Sequence, residues 1–136
     1  MRYLLDTNTL IYVLNARPDH QAVIERFDRE APEDLVASSI TLAELQYGIA
    51  KSRRRQKNIR ALRQVLEALN VIAFDARAAA TYGTVRAGLE RAGTPIGPLD
   101  TLIAAHALSL GLTLVTSNAR EFSRVPRLRV ESWIPG

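Results

Sequence analysis

The 136-residue sequence contains no cysteine, which excludes disulfides, thiolate zinc sites and thiol catalysis. Histidine is nearly absent too: only His20 and His106 are present, so a His-rich metal site is not expected. No apolar run is long enough to span a bilayer. Repeats, low-complexity tracts and long linkers are also missing. The length suits one domain, residues 1–136, with a substantial core. Asp6 comes too early for a signal peptide, and a soluble cytoplasmic protein is the expectation.

The charge is unevenly spread. The chain carries 18 basic and 14 acidic residues, a net charge of +4. Residues 51–63 hold Lys51, Arg53, Arg54, Arg55, Lys57, Arg60 and Arg63 and no acid. Removing those seven leaves 11 basic against 14 acidic residues, a net charge of −3. The positive field is therefore local, suited to a nucleic-acid backbone or an acidic protein partner. The plainer alternative is a solvated helix face.

Apolar patterning predicts strands and helices in alternation. Strands are expected at 2–6, 35–37, 71–74 and 112–116, with a possible fifth at 128–132. Helices are expected at 7–15, 20–29, 40–51, 53–69, 76–92 and 98–110, the last ended by Gly111. Ile40, Ala43, Leu45, Tyr47 and Ile49 show helical spacing in the third helix. Ile59, Leu62, Val65, Leu66 and Leu69 form the apolar stripe of the fourth. Tyr82-Gly83 and Gly88 are expected to mark close packing within the fifth. Short apolar strands separated by helices indicate an α/β fold with a parallel sheet of four to five strands and helices on both faces. Sites in such sheets form beyond the carboxyl ends of the strands.

Three acids stand out there: Asp6, Glu44 and Asp100, each in an otherwise apolar or hydroxylated segment. An ionised carboxylate is almost never buried without a partner. Asp6 also suits an N-cap, Glu44 an ordinary helix position, and Asp100 a helix-start acid facing the dipole. Three together suggest carboxylates converging on a cation, and all-oxygen ligands point to Mg²⁺ or Mn²⁺. Asn118, after the fourth strand, suits either a phosphate or metal-bound water, or a turn. Glu121 suits a peripheral ligand, a turn cap or a partner for Arg120. His106 is off the Asp100 face and is expected to be structural or partly exposed.

Four segments carry a resemblance: Leu4-Leu5-Asp6-Thr7-Asn8, the run from Ser39 to Gly48 around Glu44, the run from Pro95 to Ala107 around Asp100, and Thr116 to Phe122 around Asn118. In this order and spacing they make the chain similar to PIN-domain ribonucleases of the VapC toxin type. The resemblance implies a PIN-like, Rossmann-like fold and a Mg²⁺-dependent endoribonuclease, with Mn²⁺ able to substitute. It implies the toxin of a type II toxin–antitoxin pair, with RNA as substrate and a cognate protein antitoxin as partner. DNA would be met only indirectly, through the antitoxin; no membrane is involved, and the chain would form a homodimer. The family's metal-binding acids fall on Asp6, Asp100 and Glu44. Asn118 stands where a fourth acid is often found and joins them as a catalytic residue. One or two metals would activate water to hydrolyse the phosphodiester, leaving 5′-phosphate and 3′-OH ends.

Rival readings fit less well. A haloacid-dehalogenase-type phosphatase needs an acid where Asn8 stands and a late lysine, but the only lysines are Lys51 and Lys57. A response-regulator receiver fails on the same lysine and on its paired acids. The remaining alternative is a catalytically inactive PIN-like binding module within an antitoxin–DNA complex; retention of all three acids ranks it second. The basic stretch generates a first prediction. Replacing Arg53, Arg54 and Arg55 together by Gln is expected to weaken RNA or antitoxin association and flatten its salt dependence. Metal affinity should barely change, because exposed charges beyond about 8–10 Å are screened. Association constants at two salt concentrations check this, and unchanged binding of both partners would leave a plain solvated face.

Overall fold

The computed structural model describes residues 1–135. Strands β1 (Tyr3–Leu5), β2 (Leu35–Ser38), β3 (Asn70–Ile72), β4 (Thr113–Val115) and β5 (Val130–Glu131) form one sheet, ordered β3-β2-β1-β4-β5. Every pairing is parallel, as the alternation of strands and helices implied. The helices are α1 (Thr7–Asn15), α2 (Gln21–Arg29), α3 (Ser39–Ala50), α4 (Arg55–Glu67), α5 (Ala76–Arg91), α6 (Pro98–Leu110) and α7 (Ala119–Phe122), with short 3₁₀ turns at Pro18–His20 and Pro32–Asp34.

Strand alternation divides the core between the two faces. Tyr3 and Leu5 of β1 point with Leu35 and Ala37 of β2 into one cluster, which Leu10, Val23, Phe27, Leu45, Leu62 and Val65 of α1 to α4 complete. Leu4 and Val36 point the other way, toward Val85 and Leu89 of α5, Ile103 and Ala104 of α6, and Phe122 of α7. Each central strand is thus buried on both faces, which is why it reads as a continuous apolar run. The period-3.6 stripe of α4 is realised, with Leu62 and Val65 buried and Arg60 and Arg63 exposed opposite.

Several expectations need correction. The third strand sits one residue earlier than its apolar run, because β3 is an edge strand paired on one side only and leaves Val71 exposed. The fifth strand is two residues long. Tyr47 is not part of the core: Thr41 and Leu45 are the buried residues of α3, whereas Tyr47 is 66% exposed. In the first turn of α6 the apolar Leu99 is 46% exposed. Of the two readings of His106, structural or partly exposed, the structural one holds, since it is buried.

The helical glycines of α5 are not close-packing sites. A Cβ at Gly83 or Gly88 would meet nothing within 4 Å. Gly111 is different: it ends α6 in the left-handed conformation, φ 69°, with its N–H returned to the last helical carbonyls. Gly88→Ala is therefore expected to raise stability by about 0.5–1 kcal/mol, through helix propensity and a less flexible unfolded chain. Gly111→Ala is expected to lower it by roughly 1–2 kcal/mol. Denaturant midpoints of the two variants check the opposite signs.

Candidate active site

Asp6 leaves the central strand β1 at its carboxyl end. Its backbone N–H still bonds Val115 O of β4 at 3.0 Å, and its side chain caps α1 by accepting from the Thr9 N–H at 2.9 Å. One residue thus ends a strand and starts a helix, and its carboxylate is 4% exposed. Burial pushes the Asp6 carboxyl above its usual range; hydrogen bonds from Thr116 and Thr9 pull partly the other way.

Glu44 lies one and a half turns into α3, whose start is fixed by Ser38: the Ser38 hydroxyl accepts from the Ile40 N–H at 3.1 Å. The Thr7 hydroxyl donates to Glu44 Oε1 at 2.6 Å and shares a hydrogen bond with Thr41 at 3.1 Å. Asp100 sits in the first turn of α6, entered through Gly97 and Pro98. The three acids and Asn8 line one cavity of about 670 Å³, within the range of ligand sites. They share this cavity without closing into a ready cage. Among the described residues, no three His, Cys, Asp or Glu side chains stand together closely enough to hold a metal ion as they are.

Charge is nonetheless crowded. The Asp100 carboxyl is raised to about 6, first by burial, then by the negative charges of Glu121, Asp6 and Glu44. For Asp6 the raising cause is burial rather than a neighbouring charge. Glu121 is the member that sequence reasoning set at the periphery. Its Oε1 accepts from the Gly97 N–H at 3.2 Å, at the entrance to the Asp100 helix, and its Oε2 accepts from the Asn118 side-chain amide. The Asn118 N–H in turn donates to Thr116 Oγ1 at 2.9 Å. Asn118 therefore holds Glu121, and Glu121 neither pairs with Arg120 nor caps its own turn. Spacing alone carried a weak signal for it: Asn118 and Glu121 are three residues apart.

His106 is a structural link. Its Nδ1 is 2.8 Å from Ser38 Oγ, and its ring packs edge-on against Phe74 at 5.3 Å between centroids. Burial holds this imidazole below its usual pKa. The contact joins the start of the Glu44 helix to the middle of the Asp100 helix.

The PIN domain family model matches residues 3–128. The chain belongs to the PIN-domain family. Within it, the chain is 43% identical over 133 residues to the tRNA(fMet)-specific endonuclease VapC of Salmonella typhimurium, covering 98% of both chains. It is 42% identical over 134 residues to ribonuclease VapC2 of Haemophilus influenzae, covering 98% and 99%. Among solved structures, VapBC from Salmonella typhimurium bound to DNA matches with a TM-score of 0.90 at 42% identity, over 98% of each chain. VapBC2 from Rickettsia felis, bound to a fragment of promoter DNA, matches with a TM-score of 0.86 at 40% identity, over 98% and 99%. The chain is thus a VapC-type PIN nuclease, the toxin component of its pair. Nucleases of this kind are generally metal-dependent. No helix among the described residues is long and apolar enough to cross a membrane.

The raised Asp100 pKa generates a prediction. Between 3.8 and about 6 the folded state holds a proton that the unfolded chain has released. Stability therefore falls as pH rises through that window, and the loss is complete above it. Asp100→Asn lacks this ionisation. Without metal, the variant is expected to be more stable than wild type at neutral pH, with the difference closing below the window. Urea midpoints across pH read the effect; a pH-independent difference would assign it to something other than this charge.

Proposed function

We propose that the chain is a single-domain, Mg²⁺-dependent endoribonuclease of the cytoplasm, hydrolysing RNA phosphodiesters at the Asp6, Glu44 and Asp100 cavity. The observation that carries this is the meeting of Asp6, Glu44 and Asp100 in one cavity, where the Asp100 carboxyl is raised to about 6, first by burial and then by the charges of Glu121, Asp6 and Glu44. A hard divalent cation relieves that repulsion, and an all-oxygen donor set suits Mg²⁺, with Mn²⁺ as substitute. The donors thus fit the ion, although they must draw together to hold it. Asp6 and Asp100 would be its principal holders and Glu44 a third.

When bound, the cation supplies charge for the phosphate oxygens and makes the attacking water more acidic. The chain does the positioning. Thr7 and Thr41 hold Glu44 where its free oxygen can accept a proton from water and orient it. The N-terminus of α6 lends partial positive charge on the Asp100 side. Asn118 acts through Glu121, which clamps Gly97 and so sets where Asp100 projects. None of these groups recruits the ribose 2′-OH, so 5′-phosphate and 3′-OH ends are expected.

The VapBC complexes support a cognate antitoxin as partner. Beside the acid cavity, an apolar groove of about 200 Å³ between α1, α3 and α4 is lined by Ile11, Leu14, Leu45 and Ile49 and would take the apolar face of an antitoxin segment. DNA is then reached only through the antitoxin. A homodimer belongs to the same reading, on family resemblance.

Asp6→Asn is expected to abolish cleavage with the fold intact, since Asn caps a helix about as well as Asp. Incubating antitoxin-free protein with total RNA, with and without Mg²⁺, and mapping the ends tests this. Wild-type rates in the folded variant would sink the assignment. Asp100→Ala should lose Mn²⁺ affinity, whereas Asp75→Ala should not. The Asp75 side chain caps α5 by accepting from the Ala78 N–H at 2.9 Å, a contact worth about 0.5–2 kcal/mol of stability only. Equal metal affinities in these two variants would refute the assignment of Asp100.

A further inference from the structure

Large apolar side chains left exposed are few: Met1, Tyr47, Val71 and Leu99 among the described residues. Two of the four, Tyr47 on α3 and Leu99 on α6, line the acid cavity. Tyr47 is the most exposed of them, at 66%, two residues beyond the buried Leu45 and so on the opposite side of the helix. Neither the core nor the sheet uses it. The Lys51 ammonium lies 4.8 Å from the ring centroid, and Lys51 lines the same cavity without an acidic partner. One residue further on come the exposed Arg53, Arg54 and Arg55. A flat aromatic surface and a cation over it therefore line the same cavity as the carboxylates, with further cations close behind in the chain.

We infer that Tyr47 is a stacking platform for an unpaired base of single-stranded RNA next to the scissile phosphate, and that Lys51 holds the flanking phosphate. The inference rests on the nuclease reading above and adds the residues that hold the strand beside the acids. Aromatic faces bind any base by stacking, and cations beside them track the backbone. Bases inside an A-form duplex are stacked on one another and cannot offer a face, so the platform selects loops and single strands. Lys51 does not compete with this. An exposed cation–π contact is worth roughly a 2- to 5-fold preference, whereas a stacked base is worth roughly 5- to 150-fold. The base takes the ring, and the ammonium swings on its flexible stem to the adjacent phosphate. An apolar protein segment is disfavoured as the primary occupant of this ring because the Lys51 ammonium lies against it and the exposed residues that follow in the chain, Arg53 to Arg55, are cations rather than an apolar seam.

The test uses a short single-stranded RNA containing 2-aminopurine, and the same strand paired with its complement, in EDTA so that no metal-dependent cleavage intervenes. Wild type should quench the single strand more than the duplex. Tyr47→Ala should lose the quenching and weaken binding about 5- to 150-fold, whereas Tyr47→Phe keeps both. Lys51→Ala should keep the quenching and lower the salt slope by about 0.7. With Mg²⁺, Tyr47→Ala should raise KM while leaving kcat near wild type, a split that a merely structural residue would not produce. Equal affinity of wild type and Tyr47→Ala for the single strand overturns the inference, even if wild type cuts RNA, and so does an equal preference for duplex. An unchanged salt slope in Lys51→Ala removes the phosphate role. A wild type that quenches normally but never cleaves with Mg²⁺ or Mn²⁺ overturns the nuclease reading and leaves the platform standing.

Discussion

Burying the Asp6 carboxylate at the carboxyl end of the central strand is unfavourable in itself, and the surrounding elements are arranged so that it persists. The Thr9 N–H and Thr116 supply hydrogen bonds. The β1–β4 pairing continues through Asp6 N–H to Val115 O, which keeps the backbone from moving the side chain outward. Because β1 is central in a parallel sheet, every other acid arrives at the same edge on the first part of a following helix. The position of Asp6 therefore decides where Glu44, Asp100 and Glu121 must meet.

The supporting contacts are mostly between short polar groups. Thr7 and Thr41 hold Glu44, Asn118 and Gly97 hold Glu121, and Ser38 meets His106. The last contact ties the start of α3 to the middle of α6 across the interior, so the spacing of Glu44 and Asp100 does not depend on exposed loops. Such small partners add little bulk and leave room for a cation and a phosphate. They also leave the carboxylates apart, so charge is crowded without a closed ligand cage among the described residues.

Much of this was legible beforehand. Strands buried on both faces announce themselves as short apolar runs, so the sheet and the acids at its edge could be read directly at Asp6, Glu44 and Asp100. What could not be read depends on three-dimensional neighbours. Tyr47 fits an apolar helical pattern and lies outside the core because no element covers that part of α3. Gly83 and Gly88 look like packing sites, but nothing approaches them. The Glu121 contact with Gly97 joins residues 24 apart, which no local pattern reveals. The edge strand β3 begins on the polar Asn70, because its extent follows the pairing with β2 rather than its own apolar run.

The double duty of Asp6 has an evolutionary consequence. A gene for a toxic enzyme is under pressure to be silenced whenever its inhibitor fails. Ala at this position would disarm the site but also strip the cap from α1. On the proposed role of Asp6, Asn would disarm it and keep the cap. Every Asp codon becomes an Asn codon by one base change, so the cheapest escape from toxicity is a full-length, folded and inert protein. Such a protein keeps every surface but the carboxylate, and its carriers would hold a decoy that soaks up inhibitor meant for active copies.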